Sequence, residues 1–133
     1  MKIFSKKDIG NIGERAAARF LRRQGYRVLT RNCHCGKNEL DIVARDHAYI
    51  AFVEVKTLSF DCPECADRRP SLAVDMAKRR RTVEAAKAYL RAHPTKLCPR
   101  LDVIEVYLDR SNRMKPFKIH HIPNAFSANG SVL

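Results

Sequence analysis

Apolar residues at Ile9, Ile12, Ala16 and Phe20, joined by Ala17 and Leu21, recur at three- and four-residue spacing and predict a helix over 9–24. Gly25 follows as a helix stop, and Arg22 and Arg23 sit where the last turn favours cations. Residues 1–8 read as a loose leader. Alternation then takes over, with Tyr26, Val28 and Thr30 against Arg27, Leu29 and Arg31, and predicts a strand over 26–31. The turn region 32–37 contains Gly36. Two β-branched, apolar arms follow, 39–45 and 48–56, broken by Asp46-His47, which is a hairpin signature. The stretch 58–71, with its prolines, cysteines and charges, reads as a mobile loop. Met76, Val83, Ala86 and Leu90 mark a second helix over 72–92, ended by His93-Pro94. The run over 100–109 is apolar enough for burial on both faces, a fifth strand falls over 117–122, and 124–133 is a polar tail.

The order α-β-β-β-α-β-β predicts an α/β (α+β) fold, a mixed sheet of about five strands flanked by helices. The helix between strands three and four permits a parallel crossover. A chain of 133 residues suits one domain, spanning 1–133. The N-terminus lacks the apolar core of a signal peptide and no apolar run approaches a membrane span, so a cytoplasmic protein without a membrane partner is expected.

The hairpin carries unusual cargo. Asp41, Glu54 and Lys56 stand in strands that otherwise read as half buried, where charges cost free energy unless paired or bound to an ion. A loop of even length centred on Asp46-His47 sets Asp41 opposite Phe52 and Glu39 opposite Glu54. Glu39, Asp41, Glu54 and Lys56 then share one face, with Asp41 diagonal to Glu54, and two carboxylates can close around one metal ion. An odd loop length would send Asp41 to the other face. Carboxylate oxygens are hard donors that match Mg²⁺ or Mn²⁺, and the carbonyl of Val55 is a further candidate ligand. Such an ion polarises a phosphoryl oxygen and lowers the pKa of a bound water, while a neighbouring ammonium stabilises developing charge. The plainer reading is a Lys–Glu ion pair on an edge strand.

Charge adds a partner. Lys and Arg number 26 against 14 Asp and Glu, a formal net charge of +12, which favours nucleic acid. The cluster Lys78, Arg79, Arg80 and Arg81 stands early in the second helix, where the helix dipole does not favour cations and a phosphate backbone does. Five cysteines without an export signal argue against a disulfide framework. Cys33, Cys35, Cys62 and Cys65 offer four thiolates to a structural Zn²⁺ if the two pairs converge, and are otherwise ordinary reduced cysteines. The pair His120-His121 near a strand end carries no catalytic assignment.

The chain resembles the YraN family of small bacterial proteins with a PD-(D/E)xK, restriction-endonuclease-like fold. The likeness rests on Gly13-Glu14 with Ala16-Ala17, Gly25-Tyr26, Arg31-Asn32, Glu39-Leu40-Asp41-Ile42, Phe52-Val53-Glu54-Val55-Lys56-Thr57, Lys78 with its arginines, Ala88-Tyr89-Leu90, Arg100-Leu101-Asp102-Val103-Ile104 and Asn124-Ala125-Phe126. Asn38 stands where that family usually has Gly, and Leu40 where it has Ile; neither change removes a carboxylate. The fold is also similar to that of archaeal Holliday-junction resolvases. The resemblance implies that Asp41 and Glu54 hold the metal, Lys56 assists the nucleophile and Glu14 is an acid supplied by the helix. It implies metal-dependent cleavage of DNA, at branched or damaged sites, or else a non-catalytic DNA-binding adaptor that kept the fold. A homodimer would place two such sites on two strands, though no sequence feature requires one.

Overall fold

A computed structural model describes residues 3–67 and 76–126. Residues 68–71 of the expected loop, 72–75 of the expected second helix and 127–133 of the expected tail lie outside the described residues. The elements are α1 (Lys6–Arg23), β1 (Arg27–Cys35), β2 (Asn38–Arg45), β3 (Tyr49–Phe60), α2 (Met76–Ala92), β4 (Cys98–Asp109) and β5 (Lys115–Ile122), with short 3₁₀ turns at Pro63–Asp67 and Arg110–Asn112. The expected order α-β-β-β-α-β-β is present, and the fold is α+β. The five strands form one sheet in sequence order. All neighbours are antiparallel except β3 and β4, which run parallel across the α2 crossover.

Each helix takes one face. Ala17, Ala18 and Leu21 of α1 pack on Ile42, Ala44, Ala51, Val53, Ile104 and Val106. Ala85, Ala86 and Tyr89 of α2 pack on Val43, Ile50 and Phe52. Alternate residues of β2 and β3 thus serve opposite helices, as the pleat requires. β4, flanked by β3 and β5, is buried continuously from Asp102 to Asp109, as its apolar run predicts. Among the described residues no helix is long and apolar enough to cross a membrane.

Several boundaries differ from expectation. The leader gives way at Ser5, whose hydroxyl accepts from the Asp8 amide (3.1 Å) while the Asp8 carboxylate accepts from the Ser5 amide (3.0 Å). This capping box starts α1 at Lys6. At the other end Gly25, at φ +93°, completes a Schellman closure, with Gly25 donating to the Arg22 carbonyl and Tyr26 to that of Leu21. β1 runs on through Cys35 with Asn32 in the left-handed region at φ 51°, so the expected turn over 32–37 narrows to Gly36-Lys37. β3 continues through Leu58–Phe60 because β4 pairs with it to the end, from Tyr49↔Cys98 to Phe60↔Asp109.

A buried polar network ties the layers together. Asp102 is fully buried on β4 and accepts from Arg100 Nε and Nη2 (both 2.9 Å), from His121 Nε2 (2.8 Å) and from the Asn124 amide (2.9 Å). Arg100 also donates to the Tyr26 hydroxyl (2.6 Å), and its guanidinium lies over the rings of Tyr49 and Tyr26. His121 meets Phe20 and Tyr26 edge-on. These contacts join the end of α1 to β4, β5 and the segment after β5.

Candidate functional site

The hairpin turn decides where the acids meet. β2 and β3 pair Val43 with Phe52 and Ile42 with Val53, so the expected pairings of Asp41 with Phe52 and Glu39 with Glu54 are corrected by two residues. The cause is Asp46. Its Oδ1 accepts from the amides of Ala48 (2.8 Å) and Tyr49 (2.7 Å), which centres the turn on His47-Ala48. The loop length stays even, so Asp41 and Glu54 keep a common face, the α2 side. Continuing the register puts them opposite one another rather than on a diagonal.

Beyond Ile42↔Val53 the ladder opens. Asp41 Oδ2 fills the gap by accepting from the Val55 amide at 2.9 Å. The N–H and C=O of one strand residue point to the same edge, so the Val55 carbonyl also faces this opening. Burial raises the Asp41 carboxyl above its ordinary value; the Val55 amide and Lys78 oppose that shift, and Glu54 and Glu39 add to it. Glu54 is buried, 3% exposed, and Lys78 Nζ of α2 stands 2.8 Å from its Oε1. Its Oε2 accepts no hydrogen bond from a described residue. Burial works against the Lys78 charge, yet Glu54 and then Asp41 raise its pKa.

Glu14 arrives from α1. Gly13 lets the helix sit directly on β3: a Cβ there would fall inside the Thr57 side chain, 2.9 Å from its Cβ and Cγ2. Asn32 is held left-handed in β1, and with its amide assigned so that the nitrogen faces the acid it donates to both Glu14 oxygens at 3.2 and 3.0 Å. Burial, then the charge of Asp41, raises the Glu14 carboxyl, so the two acids share one field. Lys56 is half-buried two residues beyond Glu54, on the same face. Asp41, Glu54 and Lys78 are therefore brought together from three elements, and Glu14 of α1 lies within the field of Asp41.

The profile of the uncharacterised protein family UPF0102 matches residues 13–106, which carry every residue just described. The chain belongs to this family. It is 38% identical over 130 residues to the UPF0102 protein of Caldanaerobacter subterraneus subsp. tengcongensis, covering 95% of this chain and 100% of that one. It is 43% identical over 124 residues to a UPF0102 protein of Myxococcus xanthus, covering 92% of each. A UPF0102 protein of Chlorobium phaeobacteroides is 41% identical over 127 residues, covering 92% of this chain and 97% of its own length. UPF0102 is the YraN family, so the expected family is the one found.

In this UPF0102 chain the basic run on α2 divides. Lys78 enters the acidic site. Arg79 is buried, 6% exposed, with its guanidinium 5.9 Å from the Phe126 ring centroid. Arg80 and Arg81 remain exposed. Arg81 also lines a cleft of about 370 Å³ with Lys37, Asn38, Glu39, Asp41, Lys78 and Thr82. The roles of Lys78 and Asn32 were missed from sequence. For Lys78 a signal existed: Lys78, Thr82, Ala85, Ala86 and Tyr89 recur on the stripe that α2 buries, and a lysine on such a stripe asks for a carboxylate.

The cysteines of this UPF0102 member do not assemble. Cys62 and Cys65 form a disulfide within one 3₁₀ turn, closed by the Cys65 amide on the Cys62 carbonyl, with Cα atoms 5.5 Å apart. The expectation of ordinary reduced cysteines is corrected there, because the tight i,i+3 turn supplies disulfide geometry by itself. Cys33 and Cys35 are free with sulfurs 3.4 Å apart, and Cys35 is buried under α2. Burial, then Cys33, pushes the Cys35 thiol up to about 11. Among the described residues no three His, Cys, Asp or Glu side chains close into a metal cage. Asp41 and Glu54 are two carboxylates beside an open carbonyl, a set that suits an octahedral ion keeping several waters, as Mg²⁺ does.

Proposed function

We propose that this UPF0102 protein is a Mg²⁺- or Mn²⁺-dependent endonuclease-like enzyme acting on DNA phosphodiester bonds, with branched or damaged DNA as its target. The observation that carries the reading is the buried Glu54 carboxylate, whose Oε2 accepts no hydrogen bond from a described residue and which faces Asp41 across the open end of β2 and β3. A buried carboxylate oxygen left without a donor is costly, and a cation is its natural complement. Asp41, Glu54 and the Val55 carbonyl would hold the ion, which would supply Lewis acidity and lower the pKa of a bound water. Lys56 orients that water and stabilises charge on the phosphoryl oxygens, and Lys78 shares the second role while it neutralises Glu54. Glu14, raised by burial and by Asp41 and steadied by Asn32, stands ready to take a proton from the water. Arg80 and Arg81 hold the phosphate backbone beside the cleft.

The test is cleavage of labelled duplex, single-stranded and four-way-junction DNA, and of RNA, with Mg²⁺, Mn²⁺ or EDTA. Metal-dependent cutting that disappears in Asp41→Ala and Lys56→Ala is expected; unchanged cutting in both variants would sink the assignment. A second reading, the non-catalytic DNA-binding adaptor, is favoured by the Lys78–Glu54 pair, since an ammonium already neutralises the site. It predicts salt-sensitive binding without cutting, alike in wild type and Asp41→Ala.

A further inference from the structure

On the α1 side of the sheet, away from the acidic cleft, a groove of about 470 Å³ runs between α1 and the edge strand β5. Arg19, Phe20 and Arg23 form one wall, and Lys115, Phe117 and Ile119 the other. None of the residues lining it is acidic. Arg19, Arg23 and Lys115 are exposed, and none of them forms a salt bridge with a described residue. Arg19 and Arg23 are one helical turn apart, a like-charge spacing that weakens a helix. The helix dipole offsets this for Arg23 in the last turn but not for Arg19. The floor carries one ring, Phe20, half-buried and anchored edge-on by His121. The Phe117 ring turns to the other face of the sheet, where it meets Phe60 and Tyr107 edge-on.

Exposed cations without a salt bridge to a described residue, set beside an anchored ring, suit a polyanion that carries flat apolar groups. We propose that this groove holds a single-stranded segment of nucleic acid, with phosphates against Arg19, Arg23 and Lys115 and a base against Phe20. A paired duplex keeps its base faces stacked inside and has nothing to offer the Phe20 ring, whereas an unpaired strand presents both phosphate and base. Lys118 lines the groove too, but its ammonium is engaged 5.2 Å from the centre of the Tyr107 ring, so the binding charge falls to the other three. The inference rests on the nucleic-acid reading above for its class of ligand. It deepens that reading: a nuclease that grips an unpaired strand on one face of its sheet and cuts on the other acts where duplex and single strand join.

The experiment measures binding of a fluorescent oligodeoxythymidine and of a duplex to the full chain in EDTA, where cleavage plays no part. Wild type is compared with Arg19→Glu/Arg23→Glu and with Arg91→Glu/Lys96→Glu, which makes the same change in net charge at exposed positions at and beyond the end of α2. The groove variant is expected to lose about tenfold in single-strand affinity, and its salt slope to fall by about 1.4, at roughly 0.7 for each neutralised phosphate. Its duplex binding, and both affinities of the control variant, should change less than about threefold. Equal losses in the two variants would reduce the effect to net charge and overturn the proposal, as would no loss in either. An abasic strand bound as tightly as oligodeoxythymidine would overturn the role of Phe20. Poly-glutamate competing as well as the oligonucleotide would overturn the ligand class. Failure of the nuclease reading is seen separately, as absence of metal-dependent cutting while wild type and Asp41→Ala bind the strand equally.

Discussion

The ammonium of Lys78 stands 2.8 Å from Oε1 of Glu54, a carboxylate that is only 3% exposed. It covers one oxygen while the other accepts no hydrogen bond from a described residue, so on the proposed reading a metal ion would share the carboxylate with the lysine. The raised Lys78 pKa means that the pair stabilises the fold below the ordinary lysine value of 10.5, including neutral pH, and that this contribution fades as pH rises through the raised value. Lys78→Met leaves Glu54 buried without its cation. The expected cost in EDTA is about 1–3 kcal/mol, less than for a fully buried pair because the Lys78 side chain is half-exposed. Mn²⁺ should then raise the melting temperature of the variant more than that of wild type. Identical melting of the two proteins in EDTA would show that Lys78 does not neutralise Glu54.

Asp41 and Glu14 are raised as well, but their window lies on the acid side. Burial lifts both carboxyls above their ordinary values of 3.8 and 4.5. Their favourable contribution is complete below those ordinary values and is lost as pH rises through the raised folded values. At neutral pH the ionised Asp41 therefore destabilises the metal-free fold. Asp41→Asn keeps an acceptor for the Val55 amide and removes the charge. It should stabilise the metal-free protein by about 0.5–2 kcal/mol at neutral pH while abolishing cleavage. The gain should shrink on acidification and vanish where wild-type Asp41 is protonated. Thermal melts across that range decide the matter; a variant less stable than wild type at neutral pH would contradict it.

Gly13 fixes how closely α1 approaches β3, and with it the reach of Glu14. Gly13→Ala drives a Cβ into Thr57, and overpacking of this kind costs about 1–3 kcal/mol. Thr57→Ala removes Oγ1 and Cγ2 but leaves the Thr57 Cβ at 2.9 Å, so the double variant should recover part of the loss and not all of it. Chemical denaturation of the two single variants and the double variant measures the coupling.

The sequence was legible where one signal governed one element. Period-3.6 and period-2 patterning placed both helices and all five strands, and the even hairpin loop put Asp41 and Glu54 on one face. It was less legible where a short polar side chain decided a boundary. Ser5 with Asp8 started α1 early, and Asp46 moved the turn by one residue and the register by two. The basic run on α2 looked uniform because charge count says nothing about helix azimuth. Only the position of each residue relative to the buried stripe separates Lys78 and Arg79 from Arg80 and Arg81. The role of Asn32 had no signal in the periodicity, since it depends on a left-handed backbone inside β1.

Asp102 belongs to the scaffold rather than to the acidic site. Burial opposes its charge, but His121, Arg100 and the Asn124 amide together hold its carboxyl below the ordinary value of 3.8. Its stabilising contribution is present above that value and is lost as pH falls through the lowered one, a window below that of Asp41. Asp102→Ala strands the Arg100 guanidinium among Tyr26 and Tyr49 and should cost about 3–5 kcal/mol. Cleavage per folded molecule, measured well below the melting temperature, should stay within about twofold of wild type, in keeping with a change remote from the chemistry.

The division of the α2 basic run gives the last prediction. Arg79 is buried beside Phe126, whereas Arg80 and Arg81 face solvent. Arg79→Ala removes buried packing as well as charge and should lower stability by about 1–3 kcal/mol. Arg80→Glu/Arg81→Glu touches no packed surface, so its stability should stay within about 0.5 kcal/mol of wild type. Its duplex affinity should fall, and the salt slope should shrink by about 1.8, at roughly 0.9 for each phosphate that the arginines no longer neutralise. If Arg79→Ala lowered DNA affinity as much as the double variant while leaving the melting temperature unchanged, its buried position would not hold in solution. The phosphate-binding surface would then extend along the whole run from Lys78 to Arg81.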